Sequence, residues 1–421
     1  MQTVNGFDVY QLNFDGNVNL TNSSDFPAFQ RAAAGHATDA IFLAHGFRKQ
    51  TNDSTLLYAR FLQTFRGQMG RPEFQEIARR KYIVGAVYWP SIAMSEIAAD
   101  GSVERKIATL KGLMPDRAGA LDRAQTLLSL MASNQNVQDE FTALVLSAID
   151  SSQLDATEGL ALMKQKMGSE LLPRLMRSVI ASAFDHEFGG DVEMDASFPL
   201  ADSIAEAADQ FLSLAVWYVM QNRSGIVGAS GVAQAVRDIR DVNGSIKIHL
   251  VGHGLGGRLM AACSKSLAQT PMLQPDSVMM LEPMISQYGF SGNNGRGKAG
   301  FFRDVIVKNV VDGPLVATFS AQDEALGQIY SMASRVAGQD LGASCSHGAV
   351  RTVESYFQPL NSAASMKSPY IFKTGVVNCL DGSGGLIKDH WDVTNPDVGY
   401  AFASAVASTR ASVLLSLGAA S

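Results

Sequence analysis

Cysteine is scarce in this chain: Cys263, Cys345 and Cys379 are the only three in 421 residues, odd in number and without metal-type spacing. That argues against a disulfide framework and for a reducing compartment, with each thiol expected as a small buried hydrophobe. A clustered basic stripe is also missing, and the net charge is -6. The electrostatic footprint of a nucleic-acid or anionic-membrane partner is therefore absent. The longest apolar run, 211–220, is interrupted by Ser213 and too short to span a bilayer, so no transmembrane segment is expected. The start, Met1-Gln2-Thr3-Val4-Asn5-Gly6, has neither the basic nor the apolar region of a secretory signal, and a cytoplasmic protein is the expectation. His36, His186, His249 and His347 show no ligand spacing with one another or with carboxylates. Neither a metal nor an organic cofactor is expected.

What the chain does have is 46% apolar residues, enough at this length for a large core. Strand-like segments at 7–15, 39–44, 82–89, 277–281, 315–320 and 370–377 alternate with helical ones at 54–65, 205–221, 231–240 and from 396 on. This alternation predicts an α/β fold in one domain, a mostly parallel sheet with helices on both faces. Between 91 and about 200 the strand signal stops, and helical runs at 118–131, 137–149, 157–167 and 171–183 predict a helical insertion. It would either cover a site as a cap or pack beside the sheet. Met114, Met131, Met163, Met167 and Met176 are then pocket lining or, more commonly, helix core.

The most informative stretch is 246–259, I-K-I-H-L-V-G-H-G-L-G-G-R-L. Its first half reads as a short buried strand, and its second breaks on glycine and runs into a helix over 258–269. Glycine-rich turns of this layout also cradle phosphates in dinucleotide-binding folds. Here the spacing of Gly252, Gly254 and Gly256 is not G-x-G-x-x-G, the turn lies past the middle of the chain, and no lysine and hydroxyl pair follows. A purely structural glycine turn remains the other alternative.

Strand, sharp turn and helix with G-x-S-x-G is the layout of a nucleophile elbow. The segment resembles the elbow of esterases and lipases of the α/β-hydrolase superfamily, with Gly254 standing where the serine belongs. The resemblance covers the sheet from about Thr38 onward and implies further positions. His45-Gly46-Phe47, after the strand at 39–44, corresponds to the turn that supplies an oxyanion-hole amide, from Phe47; its partner would be the amide of Leu255. Asp323, just past the strand at 315–320, stands at the position of the acid, and His390, on a loop after the last strand, at that of the base. His45, Gly46 and His253 would border the substrate. His253, at the variable elbow position, reads equally as a packed or hydrogen-bonded neighbour. Asp323 could also serve a helix N-terminus, and His390, flanked by Asp389 and Asp392, could be a surface histidine.

The implied substrates are carboxylic esters or other acyl compounds, and the implied chain order of nucleophile, acid and base is kept without the nucleophilic oxygen. Two origins fit. Either a serine has been exchanged for glycine in an active hydrolase, or the chain is a non-catalytic member of the fold that binds a small ligand or a protein partner.

Overall fold

A computed structural model of the protein describes residues 1–409 except 22, 36, 48–50, 94–101, 158, 177–200, 269, 271–272, 295 and 339–354. Its strands are β1 (Gln2–Val4), β2 (Phe7–Asn13), β3 (Asp39–Ala44), β4 (Tyr82–Tyr88), β5 (Lys247–His253), β6 (Ser277–Leu281), β7 (Leu315–Phe319), β8 (Tyr356–Pro359) and β9 (Val377–Asp381). They form one sheet in the order β1-β2-β4-β3-β5-β6-β7-β9-β8. β1 runs antiparallel to β2, and the other pairings are parallel.

The central strands are apolar on both faces, as a parallel sheet covered by helices requires. β3, β4 and β5 are buried along their whole length. Alternation sends Phe42, Leu250 and Met280 into a core shared with the helices Phe26–Ala34, Ile204–Ile226 and Leu255–Leu267. It sends Ile41, Leu43, Val251 and Met279 into a second core under the helices Thr51–Met69 and Pro396–Ala407. The long helices begin where their sequences cap them. Ser203 Oγ accepts from Glu206 N at 3.2 Å, and the Asn395 side chain accepts from Asp397 N and Val398 N ahead of Pro396.

The described part of the insertion is mainly helical. Val103–Leu113 packs on Ile204–Ile226, and Lys106, fully buried, pairs with Asp209 at 2.5 Å. Ala118–Leu127 packs on Gln135–Ala148, from which Phe141 meets Phe211 at 6.3 Å between ring centroids. The helix expected over 157–167 shrinks to Leu160–Met163, because Gly159 at φ 47° starts it late and Gly168 lies hard against the Gln138 carbonyl. That expected over 171–183 breaks at Pro173, where a 3-10 turn, Leu172–Leu175, replaces it; its part beyond 176 lies outside the described residues. Met131 and Met163 are core, and Met167 is exposed.

One strand is displaced from its expected position. Residues 370–376 are not in the sheet: the Asn378 side chain bonds both the N–H and the carbonyl of Lys373, and Ile371 is 83% exposed. The last strand in sequence is β9, so the first part of the loop expected at 379–388 is ladder.

Candidate active site

The carboxyl ends of parallel strands are where an α/β sheet gathers side chains from separate parts of the chain. At the end of β5, Gly254 takes φ 57°, ψ −118° and caps the helix Leu255–Leu267. That backbone is left-handed and costs a residue with a side chain roughly 1–3 kcal/mol. The flanking glycines have a different reason. A Cβ on Gly252 would stand 2.1 Å from the Gly256 carbonyl oxygen, and one on Gly256 2.2 Å from that of Ala44. Strand and helix touch backbone to backbone.

His390, on the loop after β9, faces this turn. Its Nδ1 donates to Asp323 Oδ2 at 2.7 Å, and both side chains are about 1% exposed. Its Nε2 is buried, has no hydrogen-bond partner among the described residues, and lies 3.0 Å from where a Cβ on Gly254 would stand. Asp323 is fixed in turn by Leu326 N–H, which donates to its Oδ1 at 2.9 Å, so the carboxylate also caps the helix Glu324–Ala337. Trp391 stands edge-on to the His390 ring at 4.9 Å and reaches solvent.

The turn at 45–47 abuts the turn at 253–255. A Cβ on Gly46 would be 2.9 Å from the His253 carbonyl oxygen and 3.2 Å from Leu255 N, so a side chain there would drive the turns apart. Phe47, the next residue, is buried. As a first-turn amide, Leu255 N–H has no acceptor within its own helix. His45 is buried and stacked on Trp89, whose Nε1 donates to its carbonyl at 3.0 Å. His253 is buried too, and its Nε2 bonds the His390 carbonyl at 2.7 Å. His45 and His253 are therefore the frame on which the two turns and the His390 loop are held.

Glu282 was not singled out by the sequence beyond its place in a turn. It follows β6, is fully buried, and has φ 41°, unusual for a residue with a side chain. Its N–H donates to Thr318 Oγ1 at 3.0 Å, and its Oε2 accepts from Ser320 N–H at 3.1 Å. Burial pushes this carboxyl well above its ordinary range, and the charge of Asp323 pushes the same way. The usable sequence signal was an acid placed directly after a fully apolar strand.

A cluster of serine, histidine and aspartate lies at the opposite end of the sheet. Ser277 Oγ is 2.7 Å from His249 Nδ1, and His249 Nε2 is 2.9 Å from Asp39 Oδ1, with all three residues at 0% exposure. Arg80 joins Asp39 at 3.2 Å. Burial raises the Asp39 carboxyl, but the bond and charge of His249, the Thr38 hydroxyl and Arg80 outweigh it and hold it below the ordinary value. Nothing can reach this hydroxyl, and the cluster ties β3, β5 and β6 together.

A small cleft of about 70 Å³ opens beside the first turns of the helix Leu255–Leu267. Leu160 from the insertion, Trp217, Arg258, Ile285 and Phe302 line it, whereas Gly254, Asp323 and His390 do not. None of the five methionines lines it either. Among the described residues no group of three or more His, Cys, Asp or Glu is placed to hold a metal, and no helix is long and apolar enough to cross a membrane. Cys263 and Cys379 are buried; Cys345, His36, His186 and His347 lie outside the described residues.

Comparisons with protein-family models, with curated proteins and with solved structures find no match to this chain.

Proposed function

We propose that the protein has the α/β-hydrolase fold and a site of the carboxylic ester hydrolase kind in which Gly254 occupies the nucleophile's place, leaving it inactive or weakly active as it stands. One observation carries this reading. His390 presents to the Gly254 turn a buried Nε2 that has no hydrogen-bond partner among the described residues, while its Nδ1 is oriented by Asp323. That is the arrangement of a general base waiting on a hydroxyl. The chain order supports it: Gly254, Asp323 and His390 follow β5, β7 and β9, all at the carboxyl edge of the sheet. The approach of Gly46 to Leu255 N supports Phe47 and Leu255 as the amides that would receive a developing oxyanion.

In this reading a serine at 254 attacks an acyl carbonyl while Nε2 takes the hydroxyl proton, and the proton then passes to the leaving alcohol. With glycine the base can act only on water, and a triad without its nucleophile keeps on the order of 10³–10⁴-fold over the uncatalysed reaction. A second reading, a non-catalytic binder of a small ligand or protein, is favoured by the cleft at Arg258 and Phe302, which none of the three residues lines.

Gly254→Ser separates the two. The hydrolase reading expects ester hydrolysis to rise by several orders of magnitude, with a burst of acyl-enzyme visible as added mass on Ser at 254. A folded variant that binds esters and shows neither burst nor adduct would leave the binding reading standing.

A further inference from the structure

Two buried carboxyl groups meet at the ends of neighbouring strands. Glu282 leaves β6 and Asp323 follows β7, they are 0% and 1% exposed, and Ser320 joins them, its N–H donating to Glu282 Oε2 at 3.1 Å and its carbonyl accepting from Asp323 N–H at 3.1 Å. Asp323 is committed as an acceptor on both oxygens, to Leu326 N–H and to His390 Nδ1–H. Glu282 has one oxygen engaged by Ser320 N–H, while Oε1 meets no donor among the described residues. An ionised carboxylate would leave that oxygen buried and unsatisfied beside a like charge, a combination costly on both counts. A protonated carboxyl removes both costs, because the second oxygen becomes a donor and Asp323 is the acceptor at hand.

We propose that Glu282 is a positioning residue of the same site, a buried acid that keeps its proton and donates it to Asp323. The proton does two things. It fixes the plane of the Asp323 carboxylate from the β6 side, so that Oδ2 stays aimed at His390. It also draws charge from that carboxylate and weakens its hold on the imidazole Nδ1–H. The left-handed backbone of Glu282 is consistent with this: strain at a non-glycine residue persists where surrounding contacts demand that orientation. Burial acts in the same sense, since it favours the neutral form.

The role of Glu282 towards His390 rests on the hydrolase reading, but the location of the proton does not. The test therefore uses the chain as it is. Infrared difference spectra of the protein minus Glu282→Gln are expected to show, at neutral pH, the carbonyl band of a buried protonated acid, lost in the variant. The amide of Gln can donate as the acid does, so the downfield Nδ1 proton resonance of His390 should stay in place in Glu282→Gln and shift further downfield in Glu282→Leu, where Asp323 loses a donor. Absence of the band, or a Gln variant that moves the resonance as much as the Leu variant, overturns the proposal. If Leu does not fold, the band alone decides. A Gly254→Ser protein without esterase activity but with the band intact would reject the hydrolase reading and leave the shared proton in place.

Discussion

The Nε2 of His390 stands 3.0 Å from the position a Cβ on Gly254 would occupy, closer than side-chain carbons normally approach a ring nitrogen. Any side chain at 254 would thus press on the imidazole. A serine at 254 requires the ring to retreat by a few tenths of an ångström, after which its Oγ would be within bonding reach.

This geometry separates the backbone cost of a side chain from the benefit of a hydroxyl. Gly254→Ala should lose roughly 1–3 kcal/mol in urea unfolding, because φ 57° is strained for alanine. Gly254→Ser carries the same backbone cost but satisfies the buried Nε2, and should be about 1 kcal/mol more stable than the alanine variant. Equal stability of Ala and Gly would mean the turn is unstrained. Equal stability of Ala and Ser would mean that the hydroxyl does not reach His390.

The neighbouring glycine should fail for a different reason. A Cβ on Gly252 would enter the backbone of Gly256, and neither partner is a flexible side chain that can move aside. Gly252→Ala is expected to cost about 3 kcal/mol or more by overpacking and to lower the yield of folded protein. A thermal midpoint within a degree or so of the parent would show that the helix Leu255–Leu267 can shift along the sheet.

Acid should also act at the other end of the sheet. The folded-state value of the Asp39 carboxyl lies below its ordinary 3.8. Its contribution is present above that ordinary value and is lost as pH falls through the folded-state value. Asp39→Asn should therefore be less stable near neutrality, by about 3 kcal/mol since Arg80 and His249 lose their partner, yet show a shallower loss of stability below about pH 4. Parallel acid limbs for the two proteins would remove Asp39 as a source of acid lability.

The parts of the fold written as continuous apolar strands were legible. β3 and β6 fall on the expected residues because strands covered on both faces leave little room for alternative registers. The short outer strands β1 and β8 and the helix Phe26–Ala34 went unread, since half-exposed segments carry mixed patterns. Gly225, Gly228 and Gly231 look like breaks between two helices, but the chain runs through them from Ile204 to Val242 with one π turn, Val227–Val232. A Cβ on Gly228 would stand 2.0 Å from the Leu259 carbonyl oxygen, so that glycine serves a close helix contact. Gly254, Asp323 and His390 could be placed by order along the chain. Glu282 could not, because its protonation depends on burial and on Asp323 folding beside it.

β5 is anchored by an imidazole near each end. His249 ties its lower part to Asp39 and Ser277, and His253 ties its upper end to the carbonyl of His390. The loop that carries His390 is therefore fastened to the same strand that carries the Gly254 turn. The ring is held from a second side by Asp323 after β7, so the gap between ring and turn is set by the spacing of β5 and β7 across β6 rather than by the outer strands.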